Sequence, residues 1–448
     1  MIILWTDALI YLLVFSILLS GFFISRKPQL KRPLRKIAIS KTGMISLLVL
    51  VFFIIIGLLD SIHFTETDSR THEIISVLDY WAKPLRIQGE KTYSAPFSAY
   101  LYSKETMTLE DGSQQWGYPR LKFGGSHLQK PESEWKIDVL HKSFIGFTRG
   151  AGLVLLFMVL LWSFLHDRHK HFLKGPTAKV VWAAVFFLIS VSYMLIYLSA
   201  YYHVLGTDKV GEDVFYQAIK SIRTGLVIGS LTTMIMLPMA IIFGIMAGFF
   251  RGWVDDVIQY VYTTLNSIPG VLLIAASILM VQVYMSNHAE DFNSLIVRSD
   301  MRLLFLCLIL GVTSWTGLCR MLRAETLKLR EMEYVQAAQA LGVRQGSILI
   351  RHILPNVMHI VLISVVLDFS SLVLAEAVLS YINIGVDPTT YSWGNMINGA
   401  RLEMARDPVV WWSLLASFVF MFSLVLAANL FADTVRNAFD PRRAEQGE

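Results

Sequence analysis

The chain has 448 residues, of which 54% are hydrophobic and only 16% are charged, and its formal net charge is +5. This composition excludes an ordinary soluble protein, because soluble domains carry about 25% charged residues. The positive charge is concentrated in short segments between apolar runs, so it indicates membrane topology and not a nucleic-acid-binding surface.

About nine apolar segments are long enough, at about 20 residues each, to cross a hydrocarbon core about 30 Å thick. They lie near residues 3–23, 43–59, 145–165, 180–202, 224–249, 268–285, 303–322, 360–379 and 411–431. A polar insert with many Tyr and Trp residues separates the second segment from the third, and its residues 92–103 alternate as a strand or hairpin does. The sequence predicts an all-α polytopic membrane protein with a small exported α/β or β-containing insert.

The loops between the apolar segments differ in charge. Residues 25–41 carry seven Lys and Arg and no acid, residues 166–179 carry four, and residues 320–351 carry six. Residues 60–142, 206–223 and 382–407 show no basic excess. Because cytoplasmic loops are enriched in Lys and Arg, this pattern predicts an N-terminus outside and a C-terminus in the cytoplasm.

A polar segment, residues 333–342, lies between two apolar runs and reads Glu-Tyr-Val-Gln-Ala-Ala-Gln-Ala-Leu-Gly. Alanine favours helix, and Gly342 is a natural place for a helix to stop. Pro355 lacks a backbone N–H, so a second helix must break or kink where the next span begins. The segment therefore predicts a helix, a turn and a second helix that form a docking surface at the membrane.

This segment resembles the EAA coupling loop in membrane subunits of binding-protein-dependent ABC importers. In that motif Glu-Ala-Ala is followed by three residues, a Gly, nine residues and then a hydrophobic run that ends in Leu-Pro; here Gln replaces the Glu. The resemblance implies that residues 323–357 couple the chain to an ATPase, with the two alanines seated in an ATPase groove. The residues implied are Glu333, Gln336, Ala337, Ala338, Gly342, Leu354 and Pro355.

Five further collinear motifs resemble the C-type permease of oligopeptide and dipeptide ABC importers. They lie at residues 205–214, 247–255, 375–380, 388–396 and 437–442. The first reads Leu-Gly-Thr-Asp-Lys-Val-Gly-Glu-Asp-Val, with Glu212 in place of the family's Arg. It is a predicted external gate or turn motif in which Thr207 and Asp208 are suited to cap the next helix. Its residues are Gly206, Thr207, Asp208, Gly211 and Asp213.

The resemblance divides the chain into four parts. Residues 1–60 hold an extra N-terminal span, a basic cytoplasmic loop and a second span, and residues 61–144 form the exported insert. Residues 145–202 add two more spans. Residues 203–443 are expected to form the permease core with its coupling loop.

Two acidic residues lie in one apolar segment, where charged side chains are rare and typical of functional positions. Asp368 is in mid-span, where the family usually has a small residue, and Glu376 follows eight residues later. Two interpretations of Asp368 are open. It lines a conduit and attracts a peptide's amino group, or its carboxylate is hydrogen-bonded to Ser370, Ser371 or a neighbouring helix.

Other motifs that carry chemistry are absent from the sequence. No Gly-x-x-x-x-Gly-Lys-Ser/Thr motif occurs, so we expect partner subunits and not this chain to use ATP. No metal-ligand spacing and no nucleophile–base pair is recognisable. We therefore expect no catalytic residues, no metal and no cofactor bound by this chain.

The resemblance implies one permease subunit of an ATP-driven importer that moves short peptides or peptide-like compounds across the bacterial inner membrane. The implied partners are a second homologous permease subunit, two cytoplasmic ATPase subunits, a periplasmic solute-binding protein and membrane lipid, with no nucleic acid. Nickel, opines and larger peptide antibiotics such as microcin C are alternative cargoes within the family.

Two interpretations from other classes are an ATP-independent channel or secondary transporter, and a membrane-embedded enzyme that uses Asp368 and Glu376. Eight residues of helix separate those carboxylates by about 12 Å, which is too far for them to act together directly.

Overall fold

The structure, a computed structural model, describes residues 3–25, 28–66, 73–108, 113–164, 175–292 and 294–439. Helices predominate, as the apolar composition predicts. They are α1 (Trp5–Ser25), α2 (Pro28–Ile39), α3 (Lys41–Asp60), α4 (Val77–Trp81), α5 (Lys83–Ile87), α6 (Pro131–Phe164), α7 (Pro176–Ser199), α8 (Val214–Phe250), α9 (Trp253–Ser267), α10 (Gly270–Asn287), α11 (Leu295–Ser314), α12 (Thr316–Arg330), α13 (Glu333–Ala340), α14 (Gln345–Ile348), α15 (Leu354–Tyr381), α16 (Trp393–Glu403) and α17 (Trp412–Phe439).

Seven helical segments in the described part of the chain are long and apolar enough to cross a membrane. They are Lys41–Asp60, Pro131–Leu160, Thr177–Ser199, Val214–Phe250, Gly270–Asn287, Gln345–Tyr381 and Trp412–Phe439. The predicted class, an all-α polytopic membrane protein, is confirmed. The chain is a multi-pass membrane protein.

The other two predicted spans are helical but do not meet the same criteria. Helix α1 contributes a shorter apolar stretch, Trp5–Ile17. The predicted span at residues 303–322 is divided, because α11 ends at Ser314 and α12 begins at Thr316. Helix α11 also begins with charged residues, Arg298, Asp300 and Arg302, which reduce the apolar length available to it.

The chain forms two compact units, and the first contains residues 38–224 and 391–424. Within it, α6 and α7 pack closely as a pair of helices. A Cβ added to Gly146 would lie 3.0 Å from the Met194 Cα, and one added to Gly150 would lie 2.9 Å from the Ser190 Cα. These two glycines, four residues apart, let the helix backbones approach each other as small residues do in membrane helix pairs.

The insert contains two antiparallel hairpins within the first unit. Strand β1 (His63–Glu66) pairs with β2 (Glu73–Ser76), and β3 (Glu105–Thr108) pairs with β4 (Gln114–Gly117). The β-containing insert is thus present, but its strands lie outside the predicted residues 92–103. That segment has only isolated bridges, such as Ser94 with Leu101, because it turns at Phe97, whose φ is 57°.

The second unit contains residues 3–37, 225–390 and 425–448. Its largest apolar cluster joins side chains of α8, α9, α12, α13 and α15, and a second cluster joins α8, α10, α11 and α15. This division differs from the predicted boundary at residue 203. Helix α8 begins in the first unit and ends in the second, so the boundary falls within a helix and not in a loop.

Candidate functional site

Helix α13 has one buried and one exposed face. Val335 and Ala338 are 0% and 8% exposed, and they belong to the apolar cluster with Leu322 and Ile353. Glu333, Gln336, Ala337, Gln339 and Ala340 are exposed. Two buried side chains therefore hold this short helix to the rest of the chain. Its exposed side chains form a surface that can contact another protein.

The two adjacent alanines therefore have different roles. We predicted that both Ala337 and Ala338 seat the helix against an ATPase. The structure has Ala337 on the exposed face, whereas Ala338 packs inside this chain's own apolar cluster. Successive residues on a helix are about 100° apart, so both cannot lie on one narrow contact face.

Gly342 ends α13 with a left-handed residue, at φ 70°. The Gly342 N–H donates to the Gln339 carbonyl at 3.0 Å, and the Val343 N–H donates to the Ala338 carbonyl at 3.1 Å. This pair of hydrogen bonds is the Schellman motif, in which glycine is favoured because it has no Cβ to oppose a positive φ. The predicted helix stop at Gly342 is present.

The helix that contains Pro355 does not break, contrary to one form of the prediction, but it changes to a π turn just before the proline. Helix α14 ends at Ile348, and a π-helical turn covers Leu349–Ile353 before α15 starts at Leu354. Pro355 is the second residue of α15, which directly follows this π turn, and it has no N–H to donate to the preceding turn. The π turn is a bulge within a continuous helix, a feature that is frequent at functional sites.

Gln336, which stands in place of the family's Glu, contacts its own chain. Its amide nitrogen lies 3.3 Å from the Glu331 carbonyl and 3.4 Å from a Glu331 carboxylate oxygen. Glu331 in turn pairs with Arg251 at 2.6 Å. An acidic side chain at position 336 would repel Glu331, so glutamine is the compatible residue here.

Helix α12, which leads into the coupling loop, is fastened to α9 and α8. The Arg323 guanidinium donates to both Asp255 carboxylate oxygens at 2.6 Å, and these hydrogen bonds lower the pKa of Asp255. A Cβ added to Gly248 would lie 2.6 Å from the Thr326 Cβ. A bidentate ion pair and a close glycine contact make this junction rigid.

The outer loop, residues 203–214, lies in the first unit and depends on two left-handed glycines. Gly206 has φ 71° and Gly211 has φ 81°. A Cβ on Gly206 would lie 2.3 Å from the Ser94 carbonyl oxygen, and one on Gly211 would lie 1.9 Å from the Glu90 carbonyl oxygen. No other residue type fits these two positions.

Thr207 fastens the outer loop to the insert. Its hydroxyl accepts from the Ser94 N–H at 2.7 Å and donates to the Thr92 carbonyl at 2.8 Å. The Thr207 carbonyl accepts from the indole N–H of Trp412 at 2.9 Å. Thr207 is therefore a structural anchor and not the predicted helix cap.

The cap of α8 is Asp213. One of its carboxylate oxygens accepts from the Phe215 N–H at 2.9 Å and the Tyr216 N–H at 3.1 Å. Asp208 instead closes the tight turn before it, since its carboxylate accepts from the N–H groups of Val210 and Glu212. The capping role predicted for Asp208 belongs to Asp213, which directly precedes the helix.

A buried group of charges, Glu90, His203 and Asp213, holds the insert to the outer loop. The His203 Nδ1 lies 2.7 Å from an Asp213 oxygen, and its Nε2 lies 3.4 Å from a Glu90 oxygen. Burial alone lowers the pKa of His203, but the two carboxylates outweigh it and raise this pKa to about 9. Burial raises the pKa of the Glu90 carboxyl. Hydrogen bonds from His203 and from three backbone N–H groups outweigh this effect and lower the pKa to about 2.

This group predicts a pH dependence of stability. Because the pKa of His203 rises from 6.5 to about 9 on folding, its contribution is complete below pH 6.5 and lost as the pH rises through 9. Because the pKa of Glu90 falls from 4.5 to about 2, its contribution is complete above pH 4.5 and lost in stronger acid. We expect the thermal unfolding temperature of the purified protein to decrease as the pH is raised from 6.5 to 9.

The variant His203→Gln should be less stable at pH 6 and should show a smaller loss between pH 6.5 and 9. His288→Gln, at an exposed histidine, is the control and should keep the wild-type profile. Equal alkaline losses in wild type and His203→Gln would contradict the assignment.

A second buried ionic group was not predicted. The Lys220 ammonium lies 2.6 Å from Asp60 and 2.9 Å from Asp79, and the Tyr216 hydroxyl donates to Asp79 at 2.7 Å. It joins the end of α3, the insert and the first turns of α8. Lys220 precedes the predicted span at residues 224–249, so the apolar pattern gave no signal for this group.

Asp368 and Glu376 differ in their surroundings. Glu376 is 2% exposed and accepts from the Ser380 hydroxyl at 2.7 Å. Asp368 is half-buried, and the Ser371 hydroxyl bonds its backbone carbonyl at 2.9 Å and not its carboxylate. Within the described part of the chain no hydrogen bond or ion pair reaches the Asp368 carboxylate, so the interpretation that it is bonded to Ser370 or Ser371 is wrong.

Comparisons with known proteins show the family of this chain. The family described as binding-protein-dependent transport system inner membrane component matches residues 240–445, which include the coupling loop and Asp368. The chain is 30% identical over 239 residues to the oligopeptide transport system permease protein of Mycobacterium tuberculosis H37Rv, covering 53% of this chain and 76% of that relative. The chain belongs to this family.

Other relatives of this binding-protein-dependent transport component have similar names. The dipeptide transport system permease protein of Lactococcus lactis subsp. cremoris is 30% identical over 243 residues, covering 54% of this chain and 65% of that relative. The glutathione transport system permease protein of Pectobacterium atrosepticum is 26% identical over 290 residues, covering 61% of this chain and 89% of that relative. The insert and the outer loop precede the residues that the family description matches.

Proposed function

We propose that this chain is a permease subunit of an ATP-driven importer and that its cargo is a short peptide or a peptide-like compound. The observation that carries the proposal is the coupling loop, where a family motif forms an exposed helix braced by buried contacts. The names of the relatives, which specify oligopeptide, dipeptide and glutathione transport, support a peptide cargo.

The partners belong to the proposal. A second homologous permease would complete the channel, two cytoplasmic ATPases would use ATP, and a periplasmic solute-binding protein would deliver the cargo. In this arrangement the chain itself binds no cofactor and performs no catalysis. The exposed face of α13, with Glu333, Gln336 and Ala337, would be the part that touches an ATPase.

The proposed mechanism is mechanical. When the ATPases close, they push the exposed face of α13. Val335 and Ala338 pass this displacement into the apolar cluster shared with α8, α12 and α15. Because the Arg323–Asp255 pair and the Gly248 contact hold α12 against α9 and α8, these helices would move together and not deform separately.

Asp368 would then lie on the cargo pathway. A half-buried carboxylate in a membrane helix is costly without a partner, and a cation in the conduit would supply one. The α-amino group or a basic side chain of a peptide has this charge. The insert, fastened to the outer loop through Thr207 and His203, would contact the binding protein or cover the outer mouth of the channel.

The proposed orientation has the insert outside and the coupling loop in the cytoplasm. Two contacts within the second unit support it: the Thr6 N–H near the start of α1 donates to Asp300 near the start of α11, and Ile37 packs with Val435 and Ala438. These contacts agree with α1 and α11 starting on one side, and with the basic loop and the end of α17 lying on the other.

Cysteine labelling tests this orientation. With Cys307 and Cys319 replaced by alanine, an impermeant maleimide added to intact spheroplasts should modify Ser113→Cys and spare Gln345→Cys until the membrane is opened. Both positions are exposed, so a difference reports the side of the membrane and not burial. Labelling of Gln345→Cys alone would reverse the topology.

Cargo is tested by uptake. A strain that lacks this chain should lose accumulation of labelled tripeptides and regain it with the wild-type chain. Asp368→Asn should reduce uptake of a lysine-containing tripeptide more than that of an N-acetylated neutral one, because the neutral peptide has no cation for the carboxylate. Unchanged tripeptide uptake in the deletion strain would refute the peptide assignment.

A further inference from the structure

A pocket of about 370 Å³ opens on the coupling loop beside the Gly342 turn. Its lining includes Phe249 and Phe250 at the end of α8, Ile348 in α14, and two cations, Arg330 and Arg344. None of the described lining residues is acidic. The pocket thus combines an apolar surface, which suits a hydrocarbon stem, with a positive charge that suits an anion.

Arg330 provides the strongest indication of a ligand. Its Nη1 is buried and has no hydrogen-bond partner among the described residues. Its guanidinium carbon lies 6.0 Å from the centre of the Phe249 ring, a cation–π distance that leaves the in-plane N–H groups available. A buried guanidinium nitrogen without a partner is costly, so an incoming acceptor would be bound with little competition.

Two acidic side chains close to Arg330 in the sequence already have cationic partners. Glu331 pairs with Arg251 at 2.6 Å, and Glu325 lies 3.6 Å from Lys328. Arg344 is exposed on the loop that contains the pocket. The pocket therefore retains an excess of positive charge that no described residue of its lining offsets.

We propose that this pocket receives an aspartate or glutamate side chain of a cytoplasmic ATPase subunit. The inference rests on the proposed function and deepens it, because it gives the coupling surface a second element besides the α13 face. The apolar part of the lining, Phe249, Phe250 and Ile348, suits the methylene stem of a protein side chain. Gln336 supplies no negative charge to the interface, whereas Arg330 and Arg344 supply positive charge, so the acidic partner group should belong to the ATPase.

The test uses the complete complex in neutral-lipid nanodiscs, with the ATPase subunits that co-purify with the wild-type chain. We expect Arg330→Gln and Arg344→Gln to weaken ATPase binding, with Arg330→Gln causing a loss of about tenfold or more, and the remaining binding to depend less on salt. Arg330→Lys should retain part of the affinity. The matched control is Lys328→Gln, which removes an exposed charge outside the pocket lining.

Arg344 lies on the surface, so Arg344→Gln reports on binding even if Arg330→Gln impairs folding. A charge exchange is the sharper test: Arg330→Glu should release the ATPase, and replacing one ATPase Asp or Glu by Arg should restore binding. Wild-type affinity in both Gln variants, or an equal loss in Lys328→Gln, would overturn the proposal. The proposal would also be overturned if Arg330→Gln weakened ATPase binding only in nanodiscs that contain anionic lipid, because a lipid headgroup would then occupy the pocket.

The variant Ala337→Asp separates this inference from the proposed function. If Ala337→Asp releases the ATPases while both arginine variants keep them, only the pocket inference fails. If all three variants bind normally, the coupling loop is not the docking surface and the proposed function fails with it.

Discussion

Gly211→Ala should destabilise the outer loop by about 3 kcal/mol or more. The added Cβ would stand 1.9 Å from the Glu90 carbonyl oxygen, in a residue whose φ of 81° already disfavours any side chain. A left-handed conformation costs about 1–2 kcal/mol for an ordinary residue, and forced overpacking costs about 1–3 kcal/mol more. The measurement is the thermal unfolding midpoint of the purified protein, together with the rate of proteolysis within the insert.

Gly89→Ala is a matched control in the same junction. A Cβ at Gly89 would have the Gly211 carbonyl oxygen as its nearest neighbour, at 3.8 Å, which is ordinary van der Waals contact. It should therefore leave both the midpoint and the proteolysis rate close to wild type. Equal unfolding midpoints and proteolysis rates for the two variants would show that Gly211 does not lie against the Glu90 carbonyl.

The second large effect is expected from exchanging each of two neighbouring alanines for aspartate. Ala338→Asp would put a carboxylate into the apolar cluster with Val335 and Ile353, at a cost of about 3 kcal/mol or more unless water or a proton enters. Ala337→Asp would leave the carboxylate exposed, at a helix-propensity cost of about 0.5 kcal/mol. We expect the first variant to lose folded protein and the second to fold normally but release the ATPases.

Two measurements separate these outcomes: the yield of monodisperse membrane protein, and co-purification of the ATPases. Ala337→Asp with full yield and no bound ATPase would show docking by the exposed face alone. Normal ATPase binding by Ala337→Asp would remove this face from the interface. Full yield of Ala338→Asp would show that the buried face of α13 is less closely packed than described.

The coupling loop could be predicted from sequence wherever the signal was local. Gly342 ends a helix, and a π turn precedes Pro355, because the backbone properties of these two residues act within one turn. The orientation of α13 could not be predicted in the same way. Two adjacent alanines offer no contrast in polarity, and their faces are decided by α12 and α15, which lie elsewhere in the chain.

The junction between the insert and the outer loop was beyond prediction for another reason. Glu90 meets the backbone of residues 122–124 and the ring of His203, so its partners lie far away in the sequence. No periodic pattern in a sequence indicates which charged residues will pair when they lie so far apart in the chain. Residues 92–103 alternate in hydrophobicity and fold back at Phe97 with an antiparallel bridge between Ser94 and Leu101, but they bond to Thr207 and form no regular ladder.

The close packing of α6 against α7 has a consequence for how the protein is made. Gly146 meets Met194 and Gly150 meets Ser190, which lie 48 and 40 positions later in the chain. Contacts between near neighbours in sequence form early, before distant ones. The pair should therefore assemble in the bilayer as a finished hairpin while the rest of the polypeptide is still on the ribosome.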